Sequence, residues 1–246
     1  MNNALMNSYY PESQFGGFSE IDGTVRFYDR VNALLNSQFT VLDAGCGEGA
    51  YDNDPVEFRK QLRILKGKCR CVLGIDVDPQ AANNPHIDEF RQIEGDRWPV
   101  DDESIDLCLT DYVLEHIESP GSFFAECARV LKKGGYLCVR TPNARSYESV
   151  AASIIPNKWH AAVVNRVKNS GNGAEVFDTY FRCNTVGRIR RIMKRNGLRS
   201  CVFTHVGEPQ YLAFSRTTFG LGTLLHRIMP RALRSNIFAF GQKLEE

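Results

Sequence analysis

Residues 39–49 read FTVLDAGCGEG. An apolar run, Phe39 to Leu42, ends in the carboxylate Asp43, and glycines follow at every second position: Gly45, Gly47 and Gly49. A buried strand running into alternating glycines lets backbone approach a ligand, because no side chain stands in the way. The N–H groups of such a loop suit the carboxylate and ribose end of a nucleoside-containing molecule, and Asp43 offers an acceptor to an amino group. A second apolar run, CVLGID at residues 71–76, also ends in a carboxylate, Asp76, which can accept from both hydroxyls of a ribose. Asp78 competes for that role, but Asp78-Pro79 reads more naturally as the start of the next turn. Gly95-Asp96-Arg97-Trp98-Pro99 offers a carboxylate to an adenine amine and a following N–H to a ring nitrogen. Its indole either packs near a base or fills core. A fourth position, Thr110-Asp111-Tyr112, ends the run SIDLCLT. Turns without a ligand are the plain alternative for each position taken alone. A dinucleotide fingerprint would place its third glycine at position 50, which is alanine here.

These positions need a scaffold that brings strand ends together. Apolar strands are expected at 39–43, 71–76, 104–110 and 135–141, and later at 198–206 and 236–243. Helices are expected at 55–66, with Pro55 in its first turn, and at 120–132, stopped by Lys133-Gly134-Gly135. Residues 184–196 read as an amphipathic helix with Asn184 as N-cap and Gly197 at its end. Strands alternating with helices predict an α/β fold with parallel strands covered on both faces. Residues 144–183 lack clear periodicity and read as an insertion over the sheet edge where ligands enter, and 209–234 as a second insertion with a short helix. The core of one domain would then span 23–143 and 184–246.

At 246 residues and 43% hydrophobic content, the chain can bury a sizeable core. It shows neither a membrane-length apolar run nor the basic start and apolar middle of a signal peptide, so a cytoplasmic location is expected. Eight cysteines fall mostly in apolar stretches without a C-x-x-C pair, which favours buried free thiols and no metal site. The net charge of +1 conceals an asymmetry: residues 1–120 carry 22 acidic and 10 basic residues, residues 121–246 carry 7 and 20. Such polarity can hold an anionic partner near the C-terminal half, or simply set two solvated faces against each other.

Taken in order, LDAGCGEG, GIDVDP, GDRWPVDDESIDLCLTDYVLEHIESP and ECARVLKKGGYLCVRTPN resemble the class I S-adenosylmethionine-dependent methyltransferases over residues 39–143. The resemblance implies a Rossmann-like seven-stranded sheet with helices on both faces and an antiparallel last strand. It implies S-adenosylmethionine as cofactor. It also carries over Asp43, Gly45, Cys46, Gly47, Asp76, Val77, Asp96, Arg97, Trp98, Asp111 and Tyr112 as its contacts. GTVRFYDRV at 23–31 and FDTYFRCNTVGRIRRIMKRNGL at 177–198 look like methyltransferases found with polysaccharide and glycan biosynthesis enzymes. Many of those have arginine where this chain has Glu48.

The expected reaction is methyl transfer to a small-molecule, glycan-linked or lipid-linked acceptor. A sugar hydroxyl acceptor would benefit from a base; the candidates are His116, His160, Asp178 and Tyr180, with His116 better explained as a structural residue at a helix end. His160, Tyr180 and Arg182 are the candidate acceptor contacts, Arg182 as a bidentate clamp on phosphate or carboxylate. The acid-free run Arg182 to Arg199 reads first as a solvated helix face. With Arg216, Arg227, Arg231 and Arg234 beside Leu221, Leu224, Leu225 and Ile228, it also suggests an anionic acceptor or a peripheral membrane contact. The competing functions are an RNA methyltransferase, a non-catalytic S-adenosylmethionine-binding protein and a nicotinamide-dependent oxidoreductase. No DNA partner is expected.

Overall fold

The computed structural model describes residues 3–147, 149, 178–209, 212 and 215–245. Its strands are β1 (Thr40–Ala44), β2 (Cys71–Asp76), β3 (Glu89–Gln92), β4 (Ile105–Asp111), β5 (Leu131–Pro142), β6 (Leu198–His205) and β7 (Asn236–Lys243). They form one seven-stranded sheet in the order β3-β2-β1-β4-β5-β7-β6. The first five are parallel, and β7 runs antiparallel between β5 and β6. The strand order reverses at β1 and β4, so the carboxyl ends of β1, β2 and β4 flank the crevice where such sheets take ligands. The α/β sheet and the antiparallel last strand are those expected from the resemblance.

The helices are α1 (Asn3–Tyr9), α2 (Gly23–Leu34), α3 (Glu57–Arg63), α4 (Pro120–Val130), α5 (Val186–Arg195) and α6 (Arg216–Ile228). One face of the sheet packs Phe123, Phe124 and Cys127 of α4 and Ile189 and Met193 of α5 against Leu42, Cys108 and Val139. The other face packs Phe27, Tyr28 and Val31 of α2 against Val41, Leu107, Cys138 and Phe238. Asp22 caps α2 by accepting from Thr24 and Val25 N–H at 2.8 and 2.9 Å, and its other oxygen pairs with Arg59 of α3 at 2.9 Å. The cap thus fixes both helices against the sheet.

Several local expectations are corrected. The cap of α5 is Thr185, whose hydroxyl accepts from Arg188 N–H; Asn184 is instead buried and donates to the Thr141 hydroxyl at 2.6 Å. The α4 helix stops at Val130, before the glycines, because Leu131 already pairs with Ile105. Gly134, at φ +78°, belongs to the irregularity that follows in β5. Pro55 precedes the α3 N-cap, Val56, and α3 covers only seven residues. Cys46, Cys108, Cys127, Cys138 and Cys183 are buried free thiols, whereas Cys201 faces outward from β6. Among the described residues no cluster of His, Cys, Asp or Glu is placed to hold a metal, and no helix is long and apolar enough to cross a membrane.

Candidate functional site

The glycine loop leaves β1 and is tied at once to β2: Gly45 and Cys46 N–H both donate to the Ile75 carbonyl, at 2.8 and 3.3 Å. Asn84 braces it from the other side, its amide donating to the Cys46 and Gly47 carbonyls at 3.0 Å each. Asp76 closes the arrangement. One of its oxygens accepts from Gly47 N–H and the other from Asp78 N–H, both at 3.0 Å. Gly45 has φ +79°, and a Cβ there would collide with Val113; Gly47 has φ +50°, and a Cβ there would project into open space. The loop is therefore held open rather than packed shut. Each Asp76 oxygen keeps an unused lone pair for hydroxyl groups.

Asp43 sits beside this opening and has no hydrogen-bond or ion-pair partner among the described residues. Burial pushes its carboxyl up to about 7, the Asp111 charge adding to the shift and Arg63 opposing it. A carboxylate in that state suits a cation that enters with the ligand. Val77, directly after Asp76, is 56% exposed, an apolar surface beside that carboxylate on which a base can rest. The Cys46 thiol is buried in the core cluster on the α2 face, and burial raises its proton affinity.

The Asp111 carboxyl is committed within the protein. It forms a two-point ion pair with Arg140 of β5, Nε to Oδ1 at 2.5 Å and Nη2 to Oδ2 at 2.6 Å, and accepts from the Tyr28 hydroxyl at 2.9 Å. Burial alone would raise its carboxyl; the Arg140 charge and hydrogen bonds override that and hold it below the usual carboxylate range. Arg140 also lies over the rings of Tyr112, Phe27 and Tyr28, at 4.7, 5.4 and 5.5 Å from their centroids. Tyr112, at φ +57°, donates its hydroxyl to Asn236 at 3.0 Å. The end of β4 thus offers backbone to a ligand, while its acid is committed to the protein. An arginine inside the apolar run LCVRTP is the sequence signal for this pair.

Of the two places open to the Trp98 indole, the structure shows the core. Trp98 is 6% exposed and packs edge-on against Phe123 at 5.3 Å. Its apolar bulk follows β3 into the α4 face, where burial outweighs any exposed stacking. Asp96 remains exposed, and Arg97 is exposed and pairs with Asp102 at 2.9 Å.

The acceptor-side candidates gather after β4. His116 ends a single 3-10 turn, Leu114–His116, and its Nδ1 lies 2.9 Å from the Asp178 carbonyl. Tyr180 and Phe181 N–H donate to the Glu115 carbonyl at 2.8 and 3.1 Å, and Arg182 lies over the Tyr180 ring at 5.9 Å. Glu115 carries no distinguishing signal in the sequence. It is buried, accepts from the Thr141 hydroxyl at 3.0 Å, and burial raises its proton affinity despite that bond. His160 lies outside the described residues.

Cofactor binding should be coupled to the Asp43 proton. A carboxyl of about 7 in the folded protein, against about 3.9 unfolded, adds stability that is complete below pH ~4 and lost as pH rises through 7. A bound sulfonium or ammonium group reverses this by favouring the ionised form. Calorimetry at pH 6 in buffers of different ionisation enthalpy should show release approaching one proton on S-adenosylmethionine binding, and none in Asp43→Asn. Equal release in that variant would assign the proton elsewhere.

Residues 42–139 match the family described as a methyltransferase domain. A probable S-adenosylmethionine-dependent methyltransferase of Mycolicibacterium smegmatis is 35% identical over 130 residues, 51% of this chain and 46% of that protein. A ubiquinone biosynthesis O-methyltransferase of Nitrobacter winogradskyi is 28% identical over 188 residues, 72% of this chain and 64% of that protein. The chain spans about half the length of most of the curated relatives it matches. A Thermotoga maritima S-adenosylmethionine-dependent methyltransferase, described as a possible histamine N-methyltransferase, shares the fold with a TM-score of 0.56 at 17% identity, covering 98% of this chain and 97% of that one. Geranyl diphosphate methyltransferase in complex with S-adenosylmethionine gives 0.52 at 16% identity, covering 90% and 84%. The open loop fastened by Asp76, the buried Asp43 and the family match fall on one stretch: residues 42–139 are similar to a methyltransferase domain, and the relatives matched there include proteins named as probable S-adenosylmethionine-dependent methyltransferases.

Proposed function

We propose that this protein transfers the methyl group of S-adenosylmethionine to an oxygen of a glycan- or lipid-linked acceptor. The observation that carries the methyl-transfer reading is the strand-end cradle, in which Asp76 fastens Gly47 and Asp43 is left without a hydrogen-bond or ion-pair partner among the described residues. The sulfonium supplies an already electrophilic methyl. The tasks of the chain's own residues are to hold the donor at β1 and β2, present the acceptor over the end of β4 and keep water out. Relatives that are ubiquinone biosynthesis O-methyltransferases support an oxygen as the acceptor atom.

The lipid side of this reading rests on α6. Its residues Phe219, Gly222, Thr223 and His226 are buried, and Tyr9 and Tyr10 of the N-terminal segment pack on Phe219. The opposite stripe, Leu221, Leu224, Leu225 and Ile228, is apolar too and stands in solvent, Leu221 at 62% and Ile228 at 72% exposure. Arg227, Arg231 and Arg234 flank it, and no acidic residue occurs between Glu208 and Glu245. An exposed apolar stripe with a basic rim fits the surface of an anionic bilayer. The protein should bind vesicles containing an anionic phospholipid and ignore neutral ones, and Leu224→Glu/Ile228→Glu should abolish the binding. Equal failure on both vesicle types would end the membrane reading.

The overall function is tested by incubating the protein with methyl-labelled S-adenosylmethionine and a cell extract. Label is expected in the glycan or lipid fraction and should vanish with Asp76→Ala. Label in RNA would establish the RNA alternative. Cofactor binding without any label would make the protein a binding module.

A further inference from the structure

A cavity of about 520 Å³ opens beyond the carboxyl end of β5, between the turn after Pro142, the start of α5 and the 3-10 turn at Arg231–Leu233. Among the described residues Arg145, Arg188 and Arg191 line it, and no carboxylate does. None of the three forms an ion pair with a described acid. Arg188 is steadied by donating from Nη1 to the Arg182 carbonyl at 3.0 Å. The floor is rigid. Asn143, 1% exposed, donates to the Ala232 and Arg234 carbonyls at 2.9 and 2.8 Å and accepts from Arg145 N–H at 3.1 Å. At the rim, the N–H groups of Val186 and Gly187 in the first turn of α5 have no partner among the described residues. A Cβ on Gly187 would meet nothing within 4 Å, so that backbone is reachable.

This differs from a solvated helix face. Solvated arginines on a helix spread along its polar side, and Arg190 indeed leaves for the Val202 carbonyl at 3.1 Å. Arg188 and Arg191 instead meet Arg145, which comes from 43 positions earlier in the chain, across one concavity. Three guanidinium forks supply more donors than a carboxylate can accept, whereas a phosphoryl group presents three oxygens and up to two charges. The first-turn N–H groups add positive potential in the same place. S-adenosylmethionine carries no phosphate, and its cradle lies at β1 and β2. The cavity lies beyond β5, two inter-strand steps or about 10 Å from β1.

We propose that this cavity binds a phosphoryl group of the methyl acceptor, as found in a sugar phosphate or in the diphosphate of a lipid- or nucleotide-linked sugar. That the ligand is the acceptor rests on the methyltransferase reading; that the cavity binds a phosphoryl anion does not. The test is calorimetry with pyrophosphate at constant ionic strength, acetate as the control anion, and S-adenosylmethionine titrated in parallel. Pyrophosphate should bind and acetate should not. Arg145→Gln/Arg191→Gln should weaken pyrophosphate at least tenfold with cofactor affinity unchanged. Arg191→Lys, which keeps the charge and loses the fork, should give a smaller loss. In the labelled-extract assay pyrophosphate should suppress labelling in the wild type more than in the double variant. Absence of pyrophosphate binding, equal binding of acetate, or undiminished binding by the double variant overturns the site. Undiminished labelling under saturating pyrophosphate overturns its assignment to the acceptor. Pyrophosphate binding without S-adenosylmethionine binding would leave the anion site standing and defeat the methyltransferase reading.

Discussion

Arg140→Met is expected to destabilise the protein by about 3–5 kcal/mol, the cost of leaving one partner of a buried ion pair alone. Asp111 would keep only the Tyr28 hydroxyl, with Arg63 the nearest remaining cation at 4.0 Å. The loss also removes a donor to the Thr24 hydroxyl at 2.8 Å, which ties α2 to β5, and the stacking over Tyr112. Urea denaturation is the measurement, with the midpoint falling and the slope unchanged. Adding Asp111→Asn should recover a large part of the loss, because it removes the orphaned charge. The pH dependence has a definite sign. A carboxyl held below its unfolded value contributes stability that is present above pH ~4 and lost as pH falls through its folded value. Acid should therefore erode the wild type more than Arg140→Met/Asp111→Asn.

Asp76→Ala is expected to weaken S-adenosylmethionine binding about 100-fold, since each hydrogen bond to a charged group is worth about 1.5–3 kcal/mol. Two losses combine. The ribose acceptor disappears, and Gly47 and Asp78 N–H lose the bonds that keep the loop in its left-handed turn. Asp76→Asn should fall between, because its amide retains one accepting oxygen. Calorimetry reads the affinity and circular dichroism checks the fold. A change smaller than threefold in Asp76→Ala would move the ribose contact to another residue.

The parts of this architecture that were legible in the sequence are those set by neighbours in the chain. Apolar runs ending in Asp43, Asp76 and Asp111 gave β1, β2 and β4 to within a residue or two, because a buried parallel strand is a short continuous hydrophobic run. The glycine loop that follows β1 was legible from its alternating spacing. What escaped depends on partners far away. The commitment of Asp111 to Arg140 follows from a strand register joining residues 29 apart. Trp98 could be placed in the core only once α4 brought Phe123 against it. Thr185 displaced Asn184 as the cap because Thr141 claims the asparagine. Short β3 has a pattern of half-buried and exposed residues that carries little hydrophobic signal. The acceptor side was the least legible, since its cavity joins residues from 143–145, 185–191 and 232.

The unbroken run of neighbours β1-β4-β5 in the sheet has a consequence for which molecules can be methylated. The donor cradle and the arginine cavity are mounted on strands of one hydrogen-bonded sheet, so their spacing is set by backbone ladders and not by loops. The sheet then works as a ruler. Under the proposed phosphoryl site, an acceptor would have to reach from the arginine cavity beyond β5 toward the donor cradle, whose first strand, β1, lies two inter-strand steps or about 10 Å away. Such a site would turn away molecules whose two groups sit on adjacent atoms, so that length would be selected before the identity of the rest of the acceptor.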